Sequence, residues 1–300
     1  EMAELIRGVV FLSAALQVLV ALCSACSFTV YNNCPHTIWP ATLAGAGTPQ
    51  LPTTGFRLAA GESAQIPASL GWSGRIWART GCFFDEHGEG TCQTGDCGGK
   101  LQCGGMAALP PATLFEITLA TSSSTRDFYD VSLVDGYNLP VYAAPRGSAA
   151  ACNATGCISD LNSGCPQELQ VEADDGGGGV VVACRSACEA FGLDEYCCSG
   201  EYADPTTCRP STYSAMFKAA CPRAYSYAFD DSTSTFTCNA PEYAITFCPT
   251  STSVGVPAGH AGSARGQAVG DSQEVASSSD TSSSSFSSLA LLLLSALYAW

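Results

Sequence analysis

The chain has 300 residues, with 27 Asp and Glu against 12 Lys and Arg, a formal net charge of -15, and 18 cysteines. The acidity excludes nucleic acid and anionic lipid surfaces as partners, since their phosphates would be repelled. The cysteines exclude a reducing compartment, where so many thiols would stay unpaired, and place the protein outside the cell or on its surface.

After Arg7 the residues Gly8 to Cys23 are almost wholly apolar, and small residues follow through Ser27. That order predicts a signal peptide over 1–27, with Met2 as the start and cleavage between Ala25 and Phe28, so that Cys23 and Cys26 belong to the leader. The apolar stretch is short of the roughly 20 residues a membrane span needs. The other sixteen cysteines, from Cys34 to Cys248, are an even set and read as a disulfide framework.

Short aromatic and β-branched runs separated by Gly, Pro and Asn predict strands at Phe28–Asn32, Thr37–Trp39, Gly74–Arg79, Leu114–Leu119, Phe128–Val134 and Tyr243–Phe247. An all-β sandwich or barrel over 28–249 is expected, a size at which such chains commonly remain one domain. Between Cys152 and Cys221 cysteines are dense and strand signals few, which predicts a loop-rich lobe held by disulfides. One segment there, Val180–Tyr196, reads as a helix with Cys184 and Cys188 on a shared face. The glycine run before it, Asp174–Gly179, and the Gly98-Gly-Lys100-Leu string both lack the Gly-Lys-Ser/Thr of a phosphate loop.

Beyond the domain, 250–279 is rich in Ser, Gly and Ala and reads as a flexible stalk. The segment 280–300 ends in the apolar run Leu289–Trp300. At about 1.5 Å per residue this run cannot cross a core of about 30 Å. Small residues at Ser277, Ser278 and Ser279, a polar spacer and an apolar end fit a glycosylphosphatidylinositol attachment signal, which would tether the protein to the outer face of the plasma membrane.

The string Gly88-Glu-Gly-Thr-Cys92-Gln-Thr-Gly-Asp-Cys97-Gly-Gly-Lys-Leu-Gln-Cys103 resembles the signature of the thaumatin-like proteins, a plant pathogenesis-related family. The segments Pro110–Leu119, Asp127–Pro140 and Cys221–Asp231 are similar to further family segments, so the resemblance covers 28–249. It implies a flattened β-sandwich, a disulfide-rich lobe of loops and helix over about 152–221, a small disulfide loop region over about 80–103, and a cleft between sandwich and lobe. Sixteen cysteines can pair in roughly two million ways. The resemblance implies one: Cys34 with Cys248, Cys82 with Cys92, Cys97 with Cys103, Cys152 with Cys238, Cys157 with Cys221, Cys165 with Cys184, Cys188 with Cys197, and Cys198 with Cys208.

It also implies a cleft lined by Arg75, Glu116, Asp130, Asp135 and Asp230, with Asp231 as the alternative for the last position. Asp130 and Asp135 are five apart and would face opposite ways on an ideal strand, so a bulge or the turn at Gly136 must bring them together. Such a cleft supports three readings. Ionised carboxylates accept hydrogen bonds from sugar hydroxyls and rings such as Tyr137 or Phe229 stack on sugar faces, making a polysaccharide groove, for which the family's role in plant defence implies β-1,3-glucan. Alternatively, Glu116 and Asp130 hydrolyse the glycosidic bond as a weak endo-β-1,3-glucanase. In the third reading Arg75 merely pairs with the acids in a non-catalytic cell-wall or receptor-associated protein.

Other chemistry is poorly supported. His36, His87 and His260 are isolated and show no metal-ligand spacing, and no Gly-x-Ser-x-Gly elbow occurs. No cofactor or metal is expected. Asn153-Ala-Thr155 is a glycosylation sequon, and the domain is expected as a monomer.

Overall fold

The computed structural model describes residues 26–122, 124–148, 151–173 and 179–250. The segments expected as a leader, through Ala25, and as a stalk and apolar tail, beyond Thr250, lie outside the described residues, as does most of the glycine run, at 174–178.

Two five-stranded sheets face each other. The first runs in the order β10-β9-β14-β1-β3, from Thr155–Cys157, Val141–Arg146, Glu242–Phe247, Cys26–Asn32 and Ser63–Ala68; β1 and β14 are parallel and the other pairs antiparallel. The second is wholly antiparallel in the order β13-β8-β7-β4-β2, from Phe236–Cys238, Asp127–Ser132, Leu114–Thr118, Ser73–Arg79 and Trp39–Ala44. Alternation decides which residues meet between them, because successive side chains leave a strand on opposite faces. Phe28, Val30, Tyr243 and Ile245 from the first sheet pack with Ile76, Phe115, Ile117, Tyr129 and Val131 from the second, all buried. Phe28 lies 5.3 Å from Trp72, and Tyr129 lies 5.0 Å from Tyr243, ring centre to ring centre.

The strand β1 begins at Cys26, before the expected domain start at Phe28. Cys26 pairs with Ala68 of β3 and is buried as a small apolar residue. Cys26 and Ser27 therefore belong to the first sheet, and the strand start falls inside the window expected for cleavage. The Cys26 thiol is free, 3.6 Å from the Ala240 carbonyl oxygen, and burial pushes its pKa up to about 12, which makes it unreactive.

Eight disulfides join the pairs that the family resemblance implies. Two sit in the small loop region, whose hairpin pairs β5 (Phe83–Phe84) with β6 (Gly90–Thr91). Arg79, at the end of β4, anchors that region. Its fully buried guanidinium donates to the carbonyls of Lys100 and Leu101 in the loop at 2.7 and 2.9 Å, and to that of Trp39 in β2 at 3.0 Å.

The lobe differs from the sequence reading. Val181–Cys184 is the strand β12, paired with β11 (Gln170–Glu172), and the helix α1 covers only Ala187–Phe191. A single helix over Val180–Tyr196 is therefore corrected, and Cys184 and Cys188 do not share a helix face. Three consecutive β-strand-compatible residues, Val181-Val-Ala183, pair with β11 while Ser186 caps α1 by accepting from the Glu189 N–H. Gly192, at φ 63°, ends α1 in the left-handed conformation that glycine tolerates best. A second short helix, α2, follows at Asp194–Cys197. The longest helix among the described residues, α3 at Thr212–Ala220, was not expected; Ser211 and Ser214 cap its start reciprocally. A further helix, α4, is the single turn Asp231–Ser234.

Candidate acidic cleft

The outward face of the second sheet carries the charged row. Register places Arg75 of β4 opposite Glu116 of β7, and Glu116 opposite Asp130 of β8. All three leave their strands away from the core because Ile76, Phe115, Ile117, Tyr129 and Val131 occupy the inward positions. Arg75 Nε lies 2.8 Å from Glu116 Oε1, and its Nη1 lies 4.0 Å from Asp135 Oδ2.

The turn after β8 brings Asp135 to this row. The Gly136 N–H donates to the Leu133 carbonyl at 3.0 Å, and Gly136 sits at φ +81°. A Cβ there would lie 2.7 Å from Pro111 Cβ and 2.8 Å from the Cys184 carbonyl oxygen, so both space and backbone conformation demand glycine. The parity problem posed by a spacing of five is thus resolved by the turn.

The carboxylates are crowded. Burial first, and then the Asp135 charge, raise Glu116 above its ordinary value even though Arg75 pulls it down. Burial followed by the charge of Glu116 raises Asp130 well above the usual carboxylate range, and one of its oxygens is buried without a hydrogen-bond partner. Asp135 is raised by burial, with Arg75 opposing. One arginine faces three half-buried carboxylates, so their charges are not all balanced and each acid holds its proton more tightly than an exposed carboxyl does.

Asp230 does not join them. Its carboxylate pairs with Lys218 Nζ of α3 at 2.8 Å and accepts from the Ser226 N–H and hydroxyl at 3.0 and 2.9 Å, buried within the lobe. Asp231 takes the position instead. The segment at Tyr225 runs beside β8, with the Tyr225 N–H donating to the Val131 carbonyl at 2.8 Å, and the Tyr225 hydroxyl donates to Asp231 Oδ1 at 2.7 Å. From there the Asp231 charge acts on Asp130.

Tyr137 also drops out as a stacking ring: it is fully buried and its hydroxyl donates to the Ser159 carbonyl at 3.0 Å. Phe229 is half-buried.

A family model described as the thaumatin family matches residues 32–249. The chain belongs to that family. It is 52% identical over 239 residues to the pathogenesis-related thaumatin-like protein 3.5 of Cryptomeria japonica, covering 79% of this chain and 96% of that protein. It is 53% identical over 240 residues to pathogenesis-related protein 5 of Arabidopsis thaliana, covering 80% and 95%. Among solved structures, a laminaripentaose-producing β-1,3-glucanase in complex with laminaritetraose shares the fold at a TM-score of 0.53 and 14% identity, covering 74% of this chain and 98% of that one.

Two residues of this thaumatin-family cleft escaped the sequence reading. Phe128 stands two residues from Asp130 on the same outward face, 54% exposed and opposite Thr118 of β7, and offers an uncovered aromatic ring beside the carboxylates. Strict alternation along Phe128-Tyr-Asp130 was the available signal. Glu189 of α1 approaches from the lobe: its carboxyl lies 3.6 Å from Arg185 Nε, one oxygen is buried without a partner, and its charge interacts with Asp135. Burial raises its pKa to about 7. The Ser186-x-x-Glu189 capping pattern marks the helix start but says nothing of the cleft.

Proposed function

We propose that this protein is a secreted, surface-tethered defence protein whose acidic cleft binds β-1,3-glucan. The observation that carries the reading is the cross-strand row Arg75–Glu116–Asp130 with Phe128 exposed beside it on the same open sheet face. Carboxylates accept from sugar hydroxyls, the guanidinium donates to them, and the phenyl ring covers an apolar sugar face. Its relatives' names, pathogenesis-related, support a defence role, and a fold neighbour that holds laminaritetraose makes this glucan the ligand to test. Exchange of both Glu116 and Asp130 for Ala is expected to abolish retention on insoluble β-1,3-glucan while the disulfide-bonded fold persists; undiminished retention overturns the assignment.

A second reading, a weak endo-β-1,3-glucanase, is favoured by one feature. Glu116 and Asp130 are directly opposite cross-strand neighbours whose proton affinities are both raised and whose charges interact, the side-by-side carboxyl pair that glycoside hydrolysis uses as acid and partner. Proton spectra of laminaritetraose with the full chain separate the readings. Broadened ligand lines without new reducing-end signals mean binding, new anomeric signals mean hydrolysis, and unchanged spectra favour a protein partner. The lipid tether rests on the composition of the C-terminal tail, and release from intact cells by phosphatidylinositol-specific phospholipase tests it.

A further inference from the structure

A second concavity, of about 470 Å³, opens near the far end of β4 from Arg75. It lies where three parts of the domain meet: His36 and Trp39 come from the sandwich edge, Thr80 and Gln93 from the small loop region, and Asn138 and Asn162 from the connection into the lobe. At about 3.3 Å per residue, Thr80 is about 16 Å along the strand from Arg75. The buried side chains of Trp77 and Leu114 lie on the sheet face between them, so the two sites are separate.

The chemistry of this groove is unlike that of the cleft. No Asp, Glu, Lys or Arg lines it. A cation would find no carboxylate in the lining, and an anion only the rim guanidinium of Arg57, which already donates to the Thr37 hydroxyl at 3.2 Å. A wholly apolar ligand would strip water from amides and give nothing back. The floor is preorganised: Asn138 Nδ2 donates to the Ala78 carbonyl and Thr94 Oγ1, both at 2.9 Å, and its Oδ1 accepts from the Thr113 N–H at 3.1 Å. Asn162 Nδ2 donates in turn to the Asn138 and Val182 carbonyls at 3.2 and 3.1 Å, which fixes the amide and leaves its Oδ1 buried with no partner. A buried acceptor left in this way calls for a donor.

Trp39 adds a half-buried indole. The indole N–H groups of Trp72 and Trp77 are already spent on the carbonyls of Pro49 and Gly95. A ligand that presents an apolar ring face to Trp39 and hydroxyls to Gln93, His36 and Asn162 meets all of these demands, and the volume lies within the usual range of about 300–1,000 Å³ for small-molecule sites. We propose that the groove formed by Trp39, Gln93 and Asn162 is a second binding site, for a neutral saccharide, independent of the acidic cleft.

Indole N–H resonances of the full chain, uniformly labelled with nitrogen-15, test this directly. The Trp39 signal is assigned by its loss in Trp39→Phe and followed while laminaritetraose, cellotetraose and mannotetraose are each titrated in. A saturable shift with at least one of them is expected, persisting in Asp130→Asn. Trp39→Ala and Asn162→Ala, read through the remaining groove resonances, should each weaken that saccharide about tenfold, and Trp39→Tyr should restore most of the loss. An unmoved Trp39 signal with all three sugars, an equal shift with glycerol, or disappearance of the response in Asp130→Asn overturns the proposal. If Asn162→Ala disturbs the fold, the comparison of Trp39→Ala with Trp39→Tyr decides alone.

Discussion

Two arginines on one strand, four residues apart and on the same face, have opposite fates. Arg79 is fully buried and surrounded by main-chain carbonyls; Arg75 is half-buried and surrounded by carboxylates. Around Arg79 the chain has closed, with each acceptor fixed, and burial lowers its pKa to about 10 without discharging it at neutral pH. Around Arg75 the acids outnumber the cation, and buried oxygens of Asp130 and Glu189 lack partners. Satisfied polar groups hold a fold together, while crowded and unsatisfied ones mark a candidate site.

The sharpest break of this contrast is Arg79→Met. It orphans several buried carbonyls at once and should destabilise the domain by about 3 kcal/mol or more, with the small loop region losing its hydrogen-exchange protection first. Urea unfolding with amide exchange checks it. Arg75→Met should cost less, about 1–2 kcal/mol at pH 7, because the uncompensated acids can protonate. That penalty should vanish near pH 3, where the carboxylates are neutral in both states; a pH-independent penalty would place Arg75 with Arg79.

Asp130→Asn should act the other way. A carboxyl raised in the folded state keeps its proton to higher pH than in the unfolded chain, so its contribution to stability is full below the ordinary carboxylate range and is lost as pH rises through the folded value. The amide escapes that loss, and a gain of about 1 kcal/mol is expected at pH 7 and none at pH 3, read from thermal melts. Glu189→Gln should gain stability in the same direction, a gain that develops only as pH rises from about 4 through about 7, the range over which the unfolded and then the folded carboxyl ionise. A flat pH profile for that variant would separate Glu189 from the cleft's electrostatics.

Much of the sandwich was legible. In β4, β7, β8 and β14 aromatic and β-branched side chains alternate clearly enough to mark a strand. The strands β3, Ser63-Ala-Gln-Ile-Pro-Ala68, and β9, Val141-Tyr-Ala-Ala-Pro-Arg146, escaped notice because small residues and proline blur the period of two. Val181-Val-Ala183 is a short apolar run of the kind that periodicity cannot divide between helix and strand, and only its pairing with β11 decides. In the cleft, the row of Arg75, Glu116 and Asp130 came from the family resemblance, and strand register then placed its members side by side.

The even set of sixteen cysteines from Cys34 to Cys248 determined a disulfide-bonded domain, and the aromatic alternation determined a β domain, because these depend on residue type and local period alone. Which aspartate faces the cleft was decided by tertiary structure: Asp230 and Asp231 are adjacent and chemically identical, and Lys218 on α3 captures one of them. The same holds for the arginines of β4. A guanidinium becomes a structural pin or a cleft cation according to what the rest of the chain lays over it, and that covering comes from residues distant in sequence.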